Sequence, residues 1–128
     1  MATASHAGKV LVLDDDTRVT KSLELIFLAR GYKVRVAYSA EEAIDIIAGW
    51  EPDVALVDVM LPCMNGIEFG CVLLENYPNA KVILVSGHPD SARLVESART
   101  RGHSFAILAK PVHPVYVLDI VAGLLVAR

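Results

Sequence analysis

Lys9-Val10-Leu11-Val12-Leu13-Asp14-Asp15-Asp16 is the stretch on which the fold turns, because an unbroken apolar run ends abruptly in three carboxylates. A strand that is apolar at every position is buried on both faces, the habit of strands inside a parallel sheet. In an open parallel sheet ligands gather outside the carboxyl ends of the strands, so acids at 14 to 16 stand where chemistry is expected. Val54–Val57 and Val82–Val85 repeat the pattern and lead to Asp58 and to Ser86-Gly87. With their flanks, the expected strands are Lys9–Leu13, Lys33–Ala37, Asp53–Val57, Lys81–Val85 and Phe105–Ala109, the last leading to Lys110-Pro111. Lys33-Val34-Arg35-Val36 alternates instead, which suits an edge strand with both cations partly wet.

Between the strands the spacing turns helical: Val19, Leu23, Ile26 and Arg30 share a face, as do Ala43, Ile46, Ile47 and Trp50. Ser39 with Glu42 reads as a capping box. Gly31 and Gly102 stand where the first and fourth helices should stop, and Pro89 and Pro114 near helix starts. Strand then helix, five times over, gives an α/β fold: a doubly wound, five-stranded parallel sheet covered on both faces. The segment 114–128 carries Val115, Val117, Leu118, Ile120, Val121, Leu124, Leu125 and Val126, more apolar surface than one helical face needs. The surplus suits a partner surface or a continuation of the chain.

With 128 residues, 54% of them apolar, the chain has the size and composition of one domain, expected over 9–128 behind a flexible tail of 1–8. A net charge of -3 supplies no basic footprint for nucleic acid or an anionic membrane. No apolar run approaches the about 18 residues of a membrane span, and the start lacks a secretory core, so a cytoplasmic protein is expected. Cys63 and Cys71 are then expected as reduced thiols. His6, His88, His103 and His113 show no metal-ligand spacing.

Carboxylates crowded at one end of a sheet repel one another, and a divalent cation removes the conflict. All-oxygen ligation suits Mg²⁺, which commonly takes one or two carboxylates plus phosphate oxygens. Asp58 is then a candidate nucleophile toward phosphorus, with Mg²⁺ and Lys110 balancing charge on the transferred group. Ser86 offers a hydroxyl, and Gly87 lets backbone come close. Asp16 reads better as a helix cap than as a ligand.

These elements together resemble the receiver domains of two-component response regulators, over about Lys9 to Ala127. The residues that carry the resemblance are Val-Leu-Asp-Asp-Asp at 12–16, Asp58-Val-Met-Leu-Pro-Cys-Met-Asn-Gly66, Ser86-Gly87 and Lys110-Pro111. The resemblance implies a flavodoxin-like sheet in the order 2-1-3-4-5. It implies that Asp58 takes a phosphoryl group from a sensor histidine kinase or phosphotransfer protein and later loses it to water. Asp15, Asp58 and the Met60 backbone carbonyl would touch Mg²⁺, with Asp14 acting mainly through water. Lys110 would pair with a phosphate oxygen, Ser86 would move toward the phosphate, and the Lys110–Pro111 bond would be cis. A signalling domain rather than an enzyme is implied, acting on a downstream protein target, with a homodimer through the last helix as a further expectation.

The position three before Lys110, often aromatic in that family, is Ile107, so the usual aromatic switch is in doubt; Phe105, two residues earlier on the same strand face, is a weaker stand-in. Met60 and His88 flank the phosphate position and would influence water attack, Met60 offering no side-chain hydrogen bond where His88 can offer one, and a fairly long-lived phosphoryl state is expected. A haloacid dehalogenase-type phosphatase would read Asp14-x-Asp16 as its own motif, but Arg18 stands where Thr or Val is wanted and a cap domain has no room. A flavodoxin-like cofactor binder would not place three acids in its phosphate loop. A receiver portion of a longer regulator or hybrid kinase, and a degenerate receiver binding without phosphorylation, remain as alternatives.

Overall fold

The computed structural model describes residues 8–61, 64–87 and 105–126, with the single positions 93, 96 and 102. Its elements are β1 (Lys9–Leu13), α1 (Thr17–Ala29), β2 (Lys33–Ala37), α2 (Ala40–Ile47), β3 (Val54–Asp58), α3 (Gly66–Asn76), β4 (Lys81–Ser86), β5 (Ala106–Ala109) and α4 (Pro114–Val126). The strands form one parallel sheet in the order β2-β1-β3-β4-β5. The expected helix start at Pro89, the tail up to Ala7, and His88, His103 and Cys63 lie outside the described residues.

Alternation along the strands divides the core in two. Leu11, Leu13, Ala55, Val57, Val82 and Leu84 pack on one side with Ile47, Phe69 and Leu73 from α2 and α3. Val10, Val12, Val54, Leu56 and Ile83 pack on the other with Phe27 of α1 and Val117, Val121 and Leu125 of α4. Burying one such large side chain contributes about 1.5–3 kcal/mol. On the edge strand β2, Lys33 and Arg35 are exposed, as the alternating sequence required.

Local chemistry sets the helix ends. Asp16 caps α1, its side chain accepting from the Arg18 N–H, and Gly31 beyond that helix has φ 88, a conformation that costs glycine little. Ser39 caps α2 by accepting from the Glu42 N–H at 3.1 Å, but the Glu42 carboxylate accepts from Tyr38 at 2.8 Å instead of from Ser39, so the expected box is only half formed. The complete capping box lies at Asn65 and Glu68, at the start of α3.

Four expected boundaries shift by one residue. Asp58 and Ser86 are the last residues of their strands, β3 starts at Val54, and β5 starts at Ala106. Gly8, expected in the tail, is buried, and its carbonyl accepts from the Lys33 N–H at 2.9 Å, extending the sheet's hydrogen bonding. On α4, Val117, Leu118, Val121 and Leu125 are buried while Val115, Tyr116 and Val126 are exposed, which locates the apolar surplus. Among the described residues no helix is long and apolar enough to cross a membrane.

Candidate functional site

The site is built by register. Leu13 of β1 lies opposite Val57 of β3, so the next residues, Asp14 and Asp58, meet at the carboxyl edge of the sheet. Ser86 lies opposite Ala109, and the Lys110 N–H donates to the Ser86 carbonyl at 2.9 Å, continuing the β4–β5 ladder by one residue. From there the Lys110 ammonium lies 3.1 Å from Asp58 Oδ2 and 3.5 Å from Asp14 Oδ2. Asp14 and Asp58 are only 5% and 6% exposed.

Each buried carboxylate divides its two oxygens between different tasks. Asp14 Oδ1 accepts from the Asp16 N–H at 2.9 Å, and Asp58 Oδ1 accepts from the Met60 N–H at 3.0 Å. The second oxygens face Lys110. Asp15 is exposed, yet Asp14, Asp15 and Asp58 each offer an oxygen within 4.8 Å of the others. Three hard oxygen donors so close fit a cation such as Mg²⁺, and Asp15, Asp58 and Asp14 are the side chains that would hold it.

Burial pushes the Asp14 carboxyl up; the Asp16 N–H opposes this, the Asp58 charge adds to it and Lys110 opposes it in turn. Burial alone would lower the Lys110 ammonium, but its hydrogen bond to Asp58 and the charges of Asp14 and Asp58 outweigh that and hold it above the usual lysine range. The Lys110 ammonium thus offsets part of the charge of the two buried carboxylates.

Gly66 fixes the loop after β3. A Cβ there would fall 2.1 Å from the Asp58 carbonyl oxygen and 2.7 Å from Val57 Cγ1, while the Gly66 N–H donates to Val59 at 3.0 Å. The start of α3 is thus pressed against the backbone of Asp58, and only a glycine leaves room. At Gly87 a Cβ would meet nothing closer than the Lys110 side chain at 3.7 Å, an ordinary contact, so of the two glycines only Gly66 is crowded by protein atoms.

The remaining expected residues divide. Ser86 is buried at the same edge, Met60 carries its side chain 54% exposed at the rim, and the Lys110–Pro111 peptide is cis. Ile107 lies opposite Leu84 and is 43% exposed. Phe105 packs instead against Gly70 and Val82, at the amino end of β4. Ser86 lies four residues further along the strand than Val82, about 13 Å at the usual rise, so Phe105 does not stand beside the hydroxyl.

Residues 10–122 match the family described as the response regulator receiver domain. The chain belongs to that family. Among curated relatives, the response regulator MprA of Mycolicibacterium vanbaalenii is 39% identical over 83 residues, 65% of this chain and 36% of that protein. The chain thus spans about a third of the length of such relatives. Among solved structures, the CheY-like receiver domain protein from Methanospirillum hungatei superposes with a TM-score of 0.86 at 28% identity, covering 96% of each chain. The signal receiver domain of an HD domain-containing protein from Pseudomonas fluorescens gives 0.85 at 24% identity, covering 94% of this chain and 95% of the other, a likeness of fold.

The structure brings Asp14, Asp15, Asp58 and Lys110 together at the sheet edge where the sequence led them to be expected, but sequence reasoning passed over three features. Asn65 and Glu68 were legible as a cap pattern, with Asn in place of Ser. Gly66 carried no local signal of the backbone pressed against it. The third is a cleft of about 720 Å³ beside the acids, reaching between α1 and α4, which no run of residues announces.

Proposed function

We propose that this receiver accepts a phosphoryl group on Asp58 from the phosphohistidine of a sensor histidine kinase or phosphotransfer protein, in a Mg²⁺-dependent reaction. The observation that carries the reading is the meeting of Asp14, Asp15 and Asp58 within 4.8 Å, with the Lys110 ammonium 3.1 Å from Asp58, in a chain of this family. An Asp58 carboxylate oxygen forms the bond to phosphorus as the P–N bond breaks, and that electron pair leaves with the imidazole. Bound Mg²⁺ supplies positive charge for the equatorial oxygens. Asp15, Asp58 and the Met60 carbonyl would hold it, with Asp14 supporting them from beside the ion.

Lys110 exchanges its carboxylate partner for a phosphate oxygen, and Ser86 and the Gly87 N–H donate to the others. Water later attacks phosphorus, the P–O bond to Asp58 breaks, and inorganic phosphate departs. Phosphorylation controls a protein surface that we place on α4 and β5, where Val115, Tyr116 and Ile107 are exposed, and through which a downstream target or a second copy binds. The folded unit runs from Gly8 through α4 and works in the cytoplasm as a signalling domain.

Transfer from a phosphorylated histidine kinase tests the reading: label should move to the wild type as an alkali-labile acyl phosphate and not to Asp58→Asn. Transfer to the variant at the wild-type rate would overturn it. Because the exposed Met60 side chain offers no hydrogen bond to an attacking water, the phosphorylated form should outlast seconds in Mg²⁺ without a phosphatase. Decay within seconds would contradict that.

A further inference from the structure

Strand β2 ends the sheet, and its outer edge is open over a short stretch. The Lys33 N–H donates to the Gly8 carbonyl and the Ala37 carbonyl accepts from the Asp14 N–H, so the odd residues of this strand direct their backbone groups at β1. In a strand the backbone groups of successive residues point to opposite sides, which turns those of Val34 and Val36 outward. At both ends the outward row is closed. The Tyr32 N–H donates to the Phe27 carbonyl at 3.1 Å, and the Tyr38 N–H to the Glu42 carboxylate at 2.8 Å. Among the described residues nothing bonds to the outward groups of Val34 and Val36 between them.

The side chains along this opening are cationic on one face and aliphatic on the other. Lys33 and Arg35 are exposed on the side of the sheet that carries α2, while Val34 and Val36 are half-buried on the side that carries α1. Arg35 is held in place: its guanidinium carbon lies 5.7 Å from the centroid of the Trp50 ring, and the Lys9 ammonium lies 5.8 Å from the same ring. An indole face attracts cations, and Lys9 is the register partner of Lys33, so three positive side chains gather at the amino end of β2. Among the described residues none of the three forms an ion pair with a carboxylate. In a chain of net charge -3 this corner is left positive. The acids Glu41 and Glu42 belong to the first turn of α2, which follows the carboxyl end of β2.

Charge and backbone together select the occupant. A second copy pairing edge to edge would set Lys33 and Arg35 against their own counterparts, and like charges across strands repel. A small anion would answer the cations and leave the backbone groups unmatched. An extended segment with acids at alternate positions answers both. We propose that β2 takes an acidic, extended segment of a partner protein as a sixth strand, bonded to the outward N–H and C=O groups of Val34 and Val36. Its carboxylates lie beside Lys33 and Arg35, and aliphatic side chains at the intervening positions continue the face of Val34 and Val36. Glu41 and Glu42 repel acids at the carboxyl end, so the charge of the segment concentrates toward Lys33. This edge is two strands away from Asp58 and uses no residue of the phosphoacceptor site, so it stands apart from the receiver chemistry.

The probe is the acetylated and amidated peptide EVEVET, titrated into the whole chain at low salt and followed by amide NMR. Saturable one-to-one binding is expected, with hydrogen exchange slowed at the Val34 and Val36 amides and affinity falling as salt is added. The peptide KVKVKT should bind the wild type at least about tenfold more weakly, and Lys33→Glu combined with Arg35→Glu should reverse that preference. Backbone pairing is read separately by N-methylating either the Glu amides or the alternate amides of EVEVET. One set faces β2 and the other faces away, so one methylated peptide should lose binding and the other keep it. Absence of saturable binding, equal binding of KVKVKT, or an equal effect of the two methylation patterns would each overturn the proposal. All three comparisons use the wild type, so none depends on how the double variant folds.

Discussion

Replacing Gly66 by alanine should loosen the molecule at its phosphoacceptor. The added methyl would lie 2.1 Å from the Asp58 carbonyl oxygen and 2.9 Å from its carbon, so backbone rather than a flexible side chain must give way. Overpacking ordinarily costs about 1–3 kcal/mol, and backbone displacement puts this site toward the upper end. Alanine's better helix propensity returns up to about 1 kcal/mol, less at the first residue of a helix, leaving a net loss of about 2 kcal/mol. Urea unfolding followed by circular dichroism reads it as a lower midpoint at unchanged slope. Gly123→Ala is the control: no atom lies within 4 Å of the added methyl, in the interior of α4, so a gain of about 0.5–1 kcal/mol is expected. The clash would also push the α3 start and the Met60 turn outward, so Gly66→Ala should take up phosphate more slowly even where it is folded. A Gly66→Ala protein as stable as wild type would refute the reasoning that α3 is pressed onto Asp58.

Two further substitutions probe the charges. Breaking a buried ion pair costs about 3–5 kcal/mol, but Lys110 is 36% exposed, so Lys110→Ala should cost the metal-free protein about 1 kcal/mol by thermal unfolding. Calorimetry should show the variant binding Mg²⁺ more tightly, since no ammonium competes for Asp14 and Asp58. Because folding raises the Lys110 pKa above its ordinary 10.5, that stabilisation is complete below 10.5 and lost as pH climbs through the raised value. The gap between wild type and Lys110→Ala should therefore hold through neutral pH and close only in strong alkali. Asp14 has the opposite consequence: its carboxyl is raised from 3.8, so its ionisation lowers stability as pH rises from 3.8 through the raised value and leaves it lower at neutrality. Asp14→Asn should thus raise the melting temperature of the metal-free protein near pH 7, show no gain below 3.8, and weaken stabilisation by Mg²⁺, all read from melting temperature against pH.

Much of this was legible because the sheet is buried on both faces. A strand that must be apolar throughout announces itself, and the first polar residue after it marks the carboxyl edge, which is how Asp14, Asp58, Ser86 and Lys110 were found together. The edge strand β2 declared itself by alternation. What sequence could not show depended on contacts between distant segments. Gly66 reads as one more loop glycine until the Asp58 carbonyl is seen against it. Glu42 turns to Tyr38 instead of Ser39 because two backbone donors lie within its reach, a choice that residue type does not encode. Phe105 shares a strand face with Ile107, yet its ring settles over Gly70, where the missing side chain on α3 leaves space.

The most direct test of the central claim is intact mass after incubation with acetyl phosphate, with and without Mg²⁺, for the wild type and Asp58→Asn. A single added phosphoryl group that requires both Mg²⁺ and Asp58 is the predicted result. A folded, Mg²⁺-binding wild type that gains no mass, or an Asp58→Asn variant labelled as well as wild type, would contradict it.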